Sequence, residues 1–359
     1  MRIILSAAVS ADGCINDNSG RRLVLSSPQD WEQVHRLRAG CDAILIGAGT
    51  LRADNPSLVL KDEKLRAERI RRGVCEDIAK VVVSGSGNVD PHSRFFTEGN
   101  GEKILLTCGQ ASEELRRAAT VIRLPEITAE GIEEALSQRG IQTLMVEGGS
   151  AVLTMFLSEG VFDEFRLAVS PMIVGQTSAP RLTGDMPPRR MHLCDTWQAG
   201  QMSVAYYRNP ERPLWQDYLH LRRAVELGAE CVPSSGSYCV GAVIQTCSGQ
   251  VFEGYTHRSS ATSHAEEEAI DAALAAGADL KGATMYSSME PCSKRKSRPK
   301  SCSRHIIDYG FSRVFFVMYE PSLFVDCNAE SILRKAGVEV HVMEDLARGV
   351  VKANSHLKI

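Results

Sequence analysis

Four residues in the second half of the sequence have the types and spacing of a metal centre with its own proton carrier. His264, Cys292 and Cys302 offer one imidazole and two thiols, and Glu266 follows the histidine by two residues. One nitrogen and two thiolates suit Zn²⁺ with a fourth position left open for water. Bound zinc lowers the pKa of water to about 7, and a nearby carboxylate can pass the proton to a leaving amine. The pattern therefore predicts a hydrolytic deaminase in which Glu266 is the catalytic proton carrier.

Each of these residues also has an ordinary structural interpretation. The histidine could lie at the surface, Glu266 to Glu268 could form a solvated acidic face, and the cysteines could fill the core. The combination of His-Ala-Glu, Glu-Pro-Cys and a further cysteine, each between predicted strands and helices, favours the zinc site. A disulfide framework is not expected, because the eleven cysteines are scattered through a long chain and their number is odd.

The helices and strands predicted around these residues form a small α/β unit from about residue 215 onward. One helix is expected to begin at His264 and another near Ser303, and Cys292 follows a predicted strand. The other predictions are helices at 215–227 and 329–336 and strands at 240–244, 284–287, 314–317 and 338–342.

The first part of the sequence alternates between strand-like and helix-like segments. Strands are predicted at residues 3–9, 43–46, 80–83, 104–107, 144–146, 167–169 and 202–207, and helices at 28–39, 129–138 and 151–158. Nearly continuous runs of Val, Ile and Leu separated by helices indicate a layered α/β sheet. The run Asn209-Pro210-Glu211-Arg212-Pro213 interrupts the pattern, so two domains are predicted, at residues 1–209 and 210–359.

Composition restricts the partners that the protein is expected to have. The formal net charge is −3, from 41 basic and 44 acidic side chains. That balance does not suggest a nucleic-acid coat or a polybasic membrane protein. No apolar run approaches the roughly 18 residues of a membrane span, and the N-terminus lacks the apolar core of a signal peptide. We therefore expect a cytoplasmic protein without nucleic-acid or membrane partners.

The zinc motifs resemble those of the cytidine-deaminase superfamily, which implies a three-layer α/β/α fold. They depart from its general pattern, because nine residues separate Cys292 from Cys302 where the superfamily has two. A long basic gap after Met-Glu-Pro-Cys-Ser is similar to the pyrimidine deaminase of riboflavin biosynthesis. The Cys-Ser-x-Arg pattern and residues 237–243 resemble the fungal form of that enzyme more closely than the bacterial form.

The basic gap at residues 294–300 has three interpretations. It could be a solvated loop or a nucleic-acid contact, and the resemblance implies that it binds the 5′-phosphate of the substrate. Lys294 and Arg295 are the predicted substrate-binding residues, and Lys296 is a further candidate. Arginine suits phosphate because its guanidinium donates two parallel hydrogen bonds.

Motifs in the first domain resemble the reductase of the same pathway. Residues 34–58 and the run Val146-Glu147-Gly148-Gly149-Ser150 carry this resemblance. It implies a dihydrofolate-reductase-like fold with NADPH as the reductant, and backbone N–H groups at a glycine turn that opens a helix suit the cofactor's phosphates. The resemblance assigns Thr50, Asp54, Gly148, Gly149 and Ser150 to the cofactor, and Arg38 and Glu147 to the substrate.

Four residues near these motifs are less clearly assigned. Arg38 could equally be a charge on a helix surface. Lys61 stands where bacterial reductases often carry a substrate-binding arginine, so the positive charge is kept but the bidentate fork is not. Trp31 and His35 are expected to face the core or solvent.

Together, the two resemblances predict a bifunctional enzyme of riboflavin-biosynthesis type. It would reduce the ribosylamino side chain of a phosphorylated aminopyrimidine with NADPH and deaminate the ring with zinc. The reductase comes first, opposite to the common bacterial fusion, which suggests that reduction precedes deamination. Two alternatives are the same domain pair in a specialised pyrimidine-derived natural-product pathway and a nucleic-acid base deaminase. The resemblance also suggests a homodimer.

Overall fold

The structure is a computed structural model that describes residues 1–295, 298–321 and 327–357. The chain divides into two compact units, with the division between Arg212 and Pro213. Asn209 is buried, and its N–H donates to the Asp163 carbonyl at 3.0 Å. The Arg212 guanidinium also contacts the Asp163 carboxylate, at 3.2 Å. The first residues of the predicted linker are therefore part of the first unit.

Nine strands of residues 1–212, all of which the structure describes, form one sheet. They are β1 (Arg2–Ser10), β2 (Ala43–Gly47), β3 (Ala79–Val83), β4 (Lys103–Thr107), β5 (Thr120–Arg123), β6 (Thr143–Gly148), β7 (Glu164–Ser170), β8 (His192–Ala199) and β9 (Met202–Arg208). Their order is β5-β4-β3-β2-β6-β1-β7-β9-β8. Neighbours from β5 to β7 are parallel, whereas β9 is antiparallel to both β7 and β8.

Helices cover this sheet. They are α1 (Pro28–Gly40), α2 (Ala48–Asp54), α3 (Glu63–Arg71), α4 (Arg94–Thr97), α5 (Glu113–Ala118), α6 (Ala129–Ser137) and α7 (Ser150–Glu159). Every residue of β2 is buried, as expected for a parallel strand that is covered on both faces. Helix α1 begins where Ser27 accepts the Asp30 N–H and Pro28 supplies a fixed φ in the first turn.

The parallel order places two predicted cofactor segments at one edge of the sheet. Strands β2 and β6 are neighbours, with Ile46 opposite Gly148. The chain passes from β2 into α2, which contains Thr50, and from β6 through Gly149 into α7. Both connections leave the carboxyl ends of their strands, which is where α/β sheets bind ligands.

The second unit is a smaller sheet with helices on both faces. In the part of the chain that the structure describes it contains α8 (Leu214–Gly228), β10 (Gly241–Gln245), β11 (Val251–Tyr255), α9 (Ala265–Ala275), β12 (Thr284–Ser287), α10 (Cys302–Asp308), β13 (Arg313–Phe316), α11 (Ala329–Lys335), β14 (Glu339–Val342) and α12 (Ala347–Ala353). The strand order is β11-β10-β12-β13-β14, with the last three parallel.

Two apolar clusters make this unit a three-layer structure. Helices α9, α10 and α11 pack on one face of the sheet through residues such as Ile270, Ile306 and Leu333. Helix α8 packs on the other face through residues such as Leu221, together with Val350 of α12. Among the described residues, no helix combines the length and apolarity needed to cross a membrane.

Candidate active sites

The three predicted zinc ligands lie together in the second unit. The His264 Nδ1 atom is 3.6 Å from the Cys292 Sγ atom and 3.4 Å from the Cys302 Sγ atom. All three ligand atoms lie within 4.8 Å of one another. Within the described ranges, no other group of three histidine, cysteine or acidic side chains meets this criterion.

The donor set and its spacing fit zinc. Nitrogen and sulfur ligands about 2.0–2.3 Å from a tetrahedral zinc are separated from one another by about 3.3–3.8 Å. Both distances from the imidazole nitrogen to the sulfurs fall in that range. Three protein donors leave a fourth position for water or substrate, which is the arrangement of a catalytic site.

Three different segments supply the ligands. His264 is the N-cap of α9 and has extended backbone, Cys302 is the first residue of α10, and Cys292 lies in the loop after β12. The Cys302 N–H donates to the Cys292 sulfur at 3.3 Å. Hydrogen bonding from the Cys302 thiol, with the His264 imidazole, lowers the pKa of Cys292. The start of α10 therefore favours the thiolate that zinc requires.

Glu266 lies beside these ligands and is shielded from solvent. Its side chain is buried, and the Ser287 hydroxyl donates to its Oε1 atom at 3.0 Å. Burial, reinforced by the negative charge of Cys292, raises the pKa of Glu266. A carboxylate held in this way accepts a proton more readily than an exposed one. Ser287 was not identified from the sequence, although its position at the end of β12 was a possible signal.

In the described part of the basic gap, one arginine side chain is buried, and the other three cations, Lys294, Arg298 and Lys300, are more exposed. The Arg295 side chain is 2% exposed and lies 2.5 Å from the Glu267 carboxylate, and it donates to the Thr262 carbonyl. Lys294 is exposed, and the Arg298 side chain is 39% exposed. The two predicted phosphate ligands therefore differ in availability. Lys294 is open to solvent, whereas Arg295 is paired with Glu267. Lys296 lies outside the described residues.

Two further groups near the zinc ligands were not identified from the sequence. Burial and the charge of Cys292 raise the pKa of Glu320 to about 7. His257 adopts a positive φ of 64°, which is uncommon for a residue with a side chain. Burial and the nearby His264 lower the pKa of His257. Glu320 follows β13, so a strand end was again the available signal.

The first unit contains a cavity of about 660 Å³ that brings most of the predicted reductase residues together. It is lined by residues from the carboxyl ends of β1, β2 and β6 and from one side of α1. Its lining includes the predicted residues Arg38, Thr50, Asp54, Glu147, Gly149 and Ser150. Gly148 adjoins this group but does not line the cavity.

The glycine turn has the backbone geometry of an anion site. Gly148 and Gly149 have positive φ values of 71° and 94°. The Thr50 hydroxyl donates to the Gly148 carbonyl at 2.9 Å, and a Cβ atom on Gly149 would lie 2.6 Å from that hydroxyl. Helix α7 begins at Ser150 without a side-chain cap. Its first N–H groups therefore suit the phosphates of NADPH.

Arg38 and Glu147, both predicted to bind substrate, bind each other. The guanidinium makes two hydrogen bonds of 2.6 Å to the two carboxylate oxygens. The side chains are 8% and 17% exposed. Arg38 is therefore not an isolated surface charge, because it forms a bidentate pair in the cavity wall.

Four other residues complete this wall. Trp31 and His35, which were expected to face the core or solvent, lie in the lining of this cavity. Position 31 lies one helical turn before position 35, and both share the cavity-facing side of α1 with Arg38. The Arg38 guanidinium lies 5.6 Å from the Trp31 ring centroid. Lys61 also lines the cavity, and burial raises the pKa of Asp54.

Comparison with known families assigns both units. The profile of the RibD C-terminal domain matches residues 1–204. The profile of the cytidine and deoxycytidylate deaminase zinc-binding region matches residues 215–318. These matches confirm the predicted order of the domains, their α/β folds and the classes of reductase and zinc-dependent deaminase.

Individual relatives match one unit each. The 2,5-diamino-6-ribosylamino-4(3H)-pyrimidinone 5′-phosphate reductase of Archaeoglobus fulgidus is 31% identical over 183 residues, which cover 50% of this chain and 84% of the relative. The diaminohydroxyphosphoribosylamino-pyrimidine deaminase of Schizosaccharomyces pombe is 39% identical over 123 residues, 34% of this chain and 30% of the relative.

A solved structure supports the fold of the first unit. The pyrimidine reductase-like protein of Corynebacterium diphtheriae aligns with a TM-score of 0.50 and 22% identity, covering 58% of this chain and 91% of that one. The family profile covers more than half of the sequence, and the archaeal reductase is matched over most of its length. The chain belongs to the RibD C-terminal domain family and carries, after that domain, a deaminase zinc-binding region.

Proposed function

We propose that this chain is a bifunctional enzyme of riboflavin biosynthesis that reduces and deaminates a phosphorylated aminopyrimidine. The observation that carries the proposal is the presence in one chain of both family regions, at residues 1–204 and 215–318. Relatives of the first region include proteins named riboflavin biosynthesis protein RibD. The relative of the second region is named as a pyrimidine deaminase.

The deaminase unit would hydrolyse a ring C–N bond and release ammonia. When bound by His264, Cys292 and Cys302, zinc supplies an activated water for this reaction. Glu266 would accept a proton from the attacking water and transfer it to the departing amine. Ser287 orients the Glu266 carboxylate through its hydrogen bond, and burial keeps bulk water from competing for that proton.

The reductase unit would convert a ribosylamino group to a ribitylamino group. NADPH supplies the hydride when it is bound. The turn at Gly149 and Ser150 offers backbone N–H groups to its phosphates, and Thr50 holds that turn through the Gly148 carbonyl. The Arg38–Glu147 pair, supported by Trp31, presents fixed polar groups to the aminopyrimidine.

In the deaminase unit, Lys294 is the better candidate of the two predicted phosphate ligands. Its side chain is exposed, whereas Arg295 already has an anionic partner. Arg298 belongs to the same basic gap, and its side chain is 39% exposed, which makes it a second candidate for the phosphate. We expect Arg295 to shape the loop that presents these cations.

We further propose that reduction precedes deamination. The archaeal relative is named for reducing a pyrimidinone that still carries both amino groups, which supports this order. The name of the yeast deaminase describes an unreduced phosphoribosylamino compound, so it favours the opposite order. Ammonia release from the reduced and the unreduced aminopyrimidine decides between them, because equal or faster release from the unreduced compound would exclude reduction first.

The proposed function is tested by comparing wild type with Glu266→Ala. We expect the variant to keep its zinc, to lose deamination by at least about 100-fold, and to oxidise NADPH at the wild-type rate. Ammonia release at the wild-type rate would refute the role of Glu266. Failure of wild type to act on either phosphorylated aminopyrimidine would instead favour a specialised pathway. A cytoplasmic location and a homodimer are parts of the proposal that fractionation and light scattering can check.

A further inference from the structure

One buried carboxylate, that of Glu267, contacts several of the segments that carry the zinc ligands. Its side chain is 6% exposed. The Oε2 atom accepts the His264 N–H at 3.1 Å and lies 2.5 Å from the Arg295 Nη1 atom. The Oε1 atom lies 3.5 Å from Arg298 Nη1 and 3.7 Å from His305 Nε2. Glu267 thus joins the first turn of α9 to the basic gap and to α10.

Arg295 makes this contact difficult to break. Its side chain is 2% exposed, and it pairs with Glu267 while donating to the carbonyl of Thr262, just before the zinc ligand His264. Separating the pair would leave the Arg295 guanidinium in a low-dielectric environment without its carboxylate, which is strongly unfavourable, and would leave Glu267 only its longer contacts with Arg298 and His305. Arg295, near the start of the gap, therefore contacts residues on both sides of His264 in sequence, Thr262 before it and Glu267 after it.

The length of the gap explains why such a contact is needed. Two cysteines separated by two residues are held close by a single turn of backbone. Nine residues lie between Cys292 and Cys302, and a longer loop has more conformations to lose when its ends are brought together. A fixed point inside the loop removes part of that freedom before the metal binds.

We propose that Glu267 is a positioning residue for the deaminase centre, and that its contact with Arg295 holds the gap so that Cys292 and Cys302 keep the spacing that zinc requires. This inference rests on the proposed zinc site and on no particular substrate. Groups that orient metal ligands without touching the metal typically change metal affinity by about 10- to 100-fold when they are removed.

The neighbouring carboxylate, that of Glu268, provides a matched control. It is also buried and lies in the same turn of α9. Its Oε1 atom accepts the backbone N–H of Ser259 at 2.8 Å and the Ser259 hydroxyl at 2.5 Å. Glu268 therefore contacts the loop that precedes α9, whereas the gap between Cys292 and Cys302 follows that helix in sequence.

The experiment measures zinc transfer from the full-length, zinc-loaded chain to a chromogenic chelator without substrate. Four variants are compared with wild type: Glu267→Gln, Arg295→Met, the double variant and Glu268→Gln. We expect each of the first two to weaken zinc binding by about 10- to 100-fold. The double variant should be no weaker than the worse single variant, because both remove one shared contact. Glu268→Gln should stay within about twofold of wild type.

A second measurement separates positioning from general stability. Thermal melting of the zinc-loaded and the zinc-free chain should show that Glu267→Gln reduces the stabilisation by zinc, which a merely structural role would leave unchanged. If Glu267→Gln does not fold, Arg295→Lys, which keeps the charge without the fork, should weaken zinc binding less than Arg295→Met. Wild-type zinc affinity in Glu267→Gln, additive effects in the double variant, or equal losses in Glu268→Gln would each overturn the proposal. Zinc binding without a detectable deaminase substrate would leave it intact and count only against the proposed reaction.

Discussion

The two candidate sites are built in different ways. In the second unit, the ligand atoms of three side chains that suit one metal lie within 4.8 Å of one another, and both sulfurs are 3.4–3.6 Å from the shared imidazole nitrogen. In the first unit, residues from several strand ends line one cavity, and part of the cofactor site is backbone at Gly149. Side-chain chemistry therefore specifies the zinc site, and the topology of the sheet specifies the reductase cavity. Changes to the two sites should therefore fail in different ways.

The largest effect should come from removing one zinc ligand. We expect Cys302→Ser to lose bound zinc and at least about 1,000-fold in deamination, because a serine hydroxyl replaces a buried thiolate ligand. NADPH oxidation should be unchanged. Zinc content and ammonia release measure the outcome.

Cys239→Ser is the matched control for that prediction. Cys239 is a buried free cysteine of the same unit and is not one of the three ligand residues. It should retain zinc and deamination. Comparable zinc loss in both variants would mean that the unit is sensitive to any buried cysteine change, and the contrast between the sites would fail.

A smaller, graded effect is expected in the reductase cavity. Glu147→Gln leaves the Arg38 guanidinium beside a neutral partner, and truncating one member of such a pair costs about 2–5 kcal/mol. We expect the reductase kcat/KM to fall by about 100-fold with zinc content unchanged. Steady-state NADPH oxidation provides the measurement.

Glu133→Gln tests whether this loss is local. Glu133 also makes a bidentate pair with an arginine, Arg212, and is not among the residues lining the cavity. It should lower the melting temperature without changing the reductase KM. An equal loss of reductase activity in both variants would show that stability, rather than the cavity wall, determines the effect.

The difference between the sites also explains what the sequence could predict. The ligands His264, Cys292 and Cys302 were found because few other chemistries need those residue types near one another. The strongly apolar strands were found for a similar reason, since a continuous Val/Ile/Leu run such as β2 has a clear pattern. Strands β5, β8 and β11 were missed because they lie at sheet edges and are partly exposed, which weakens their pattern.

Long-range pairing was the main limit for both sites. Arg38 and Glu147 were assigned separately, but nothing in the sequence indicated that residues 109 positions apart pair with each other. Arg295 was interpreted as a phosphate ligand because its burial against Glu267 depends on how the gap folds. Nothing in the sequence indicated that Trp31 and His35 line a cavity, because the cavity beside α1 forms only when β1, β2 and β6 assemble.

The smallest effect should come from the backbone part of the reductase site, and it tests the claim that this site depends on conformation. Gly149→Ala places a methyl group at a positive φ of 94° and 2.6 Å from the Thr50 hydroxyl. A side chain in such a conformation costs of the order of 1–3 kcal/mol, and the turn must shift to relieve the contact. We expect the KM for NADPH to rise about tenfold, with kcat much less affected.

Gly140→Ala is the control, because Gly140 has a positive φ of 81° with nothing within 4 Å and does not line the cavity. Gly149→Ala should lose more stability than Gly140→Ala, because it adds a steric contact to the same kind of backbone cost, and a rise in KM confined to Gly149→Ala would show that the turn binds the cofactor through its backbone. If the two variants differ only in melting temperature, NADPH does not depend on this turn, and the reductase site must then rely on side chains as the zinc site does.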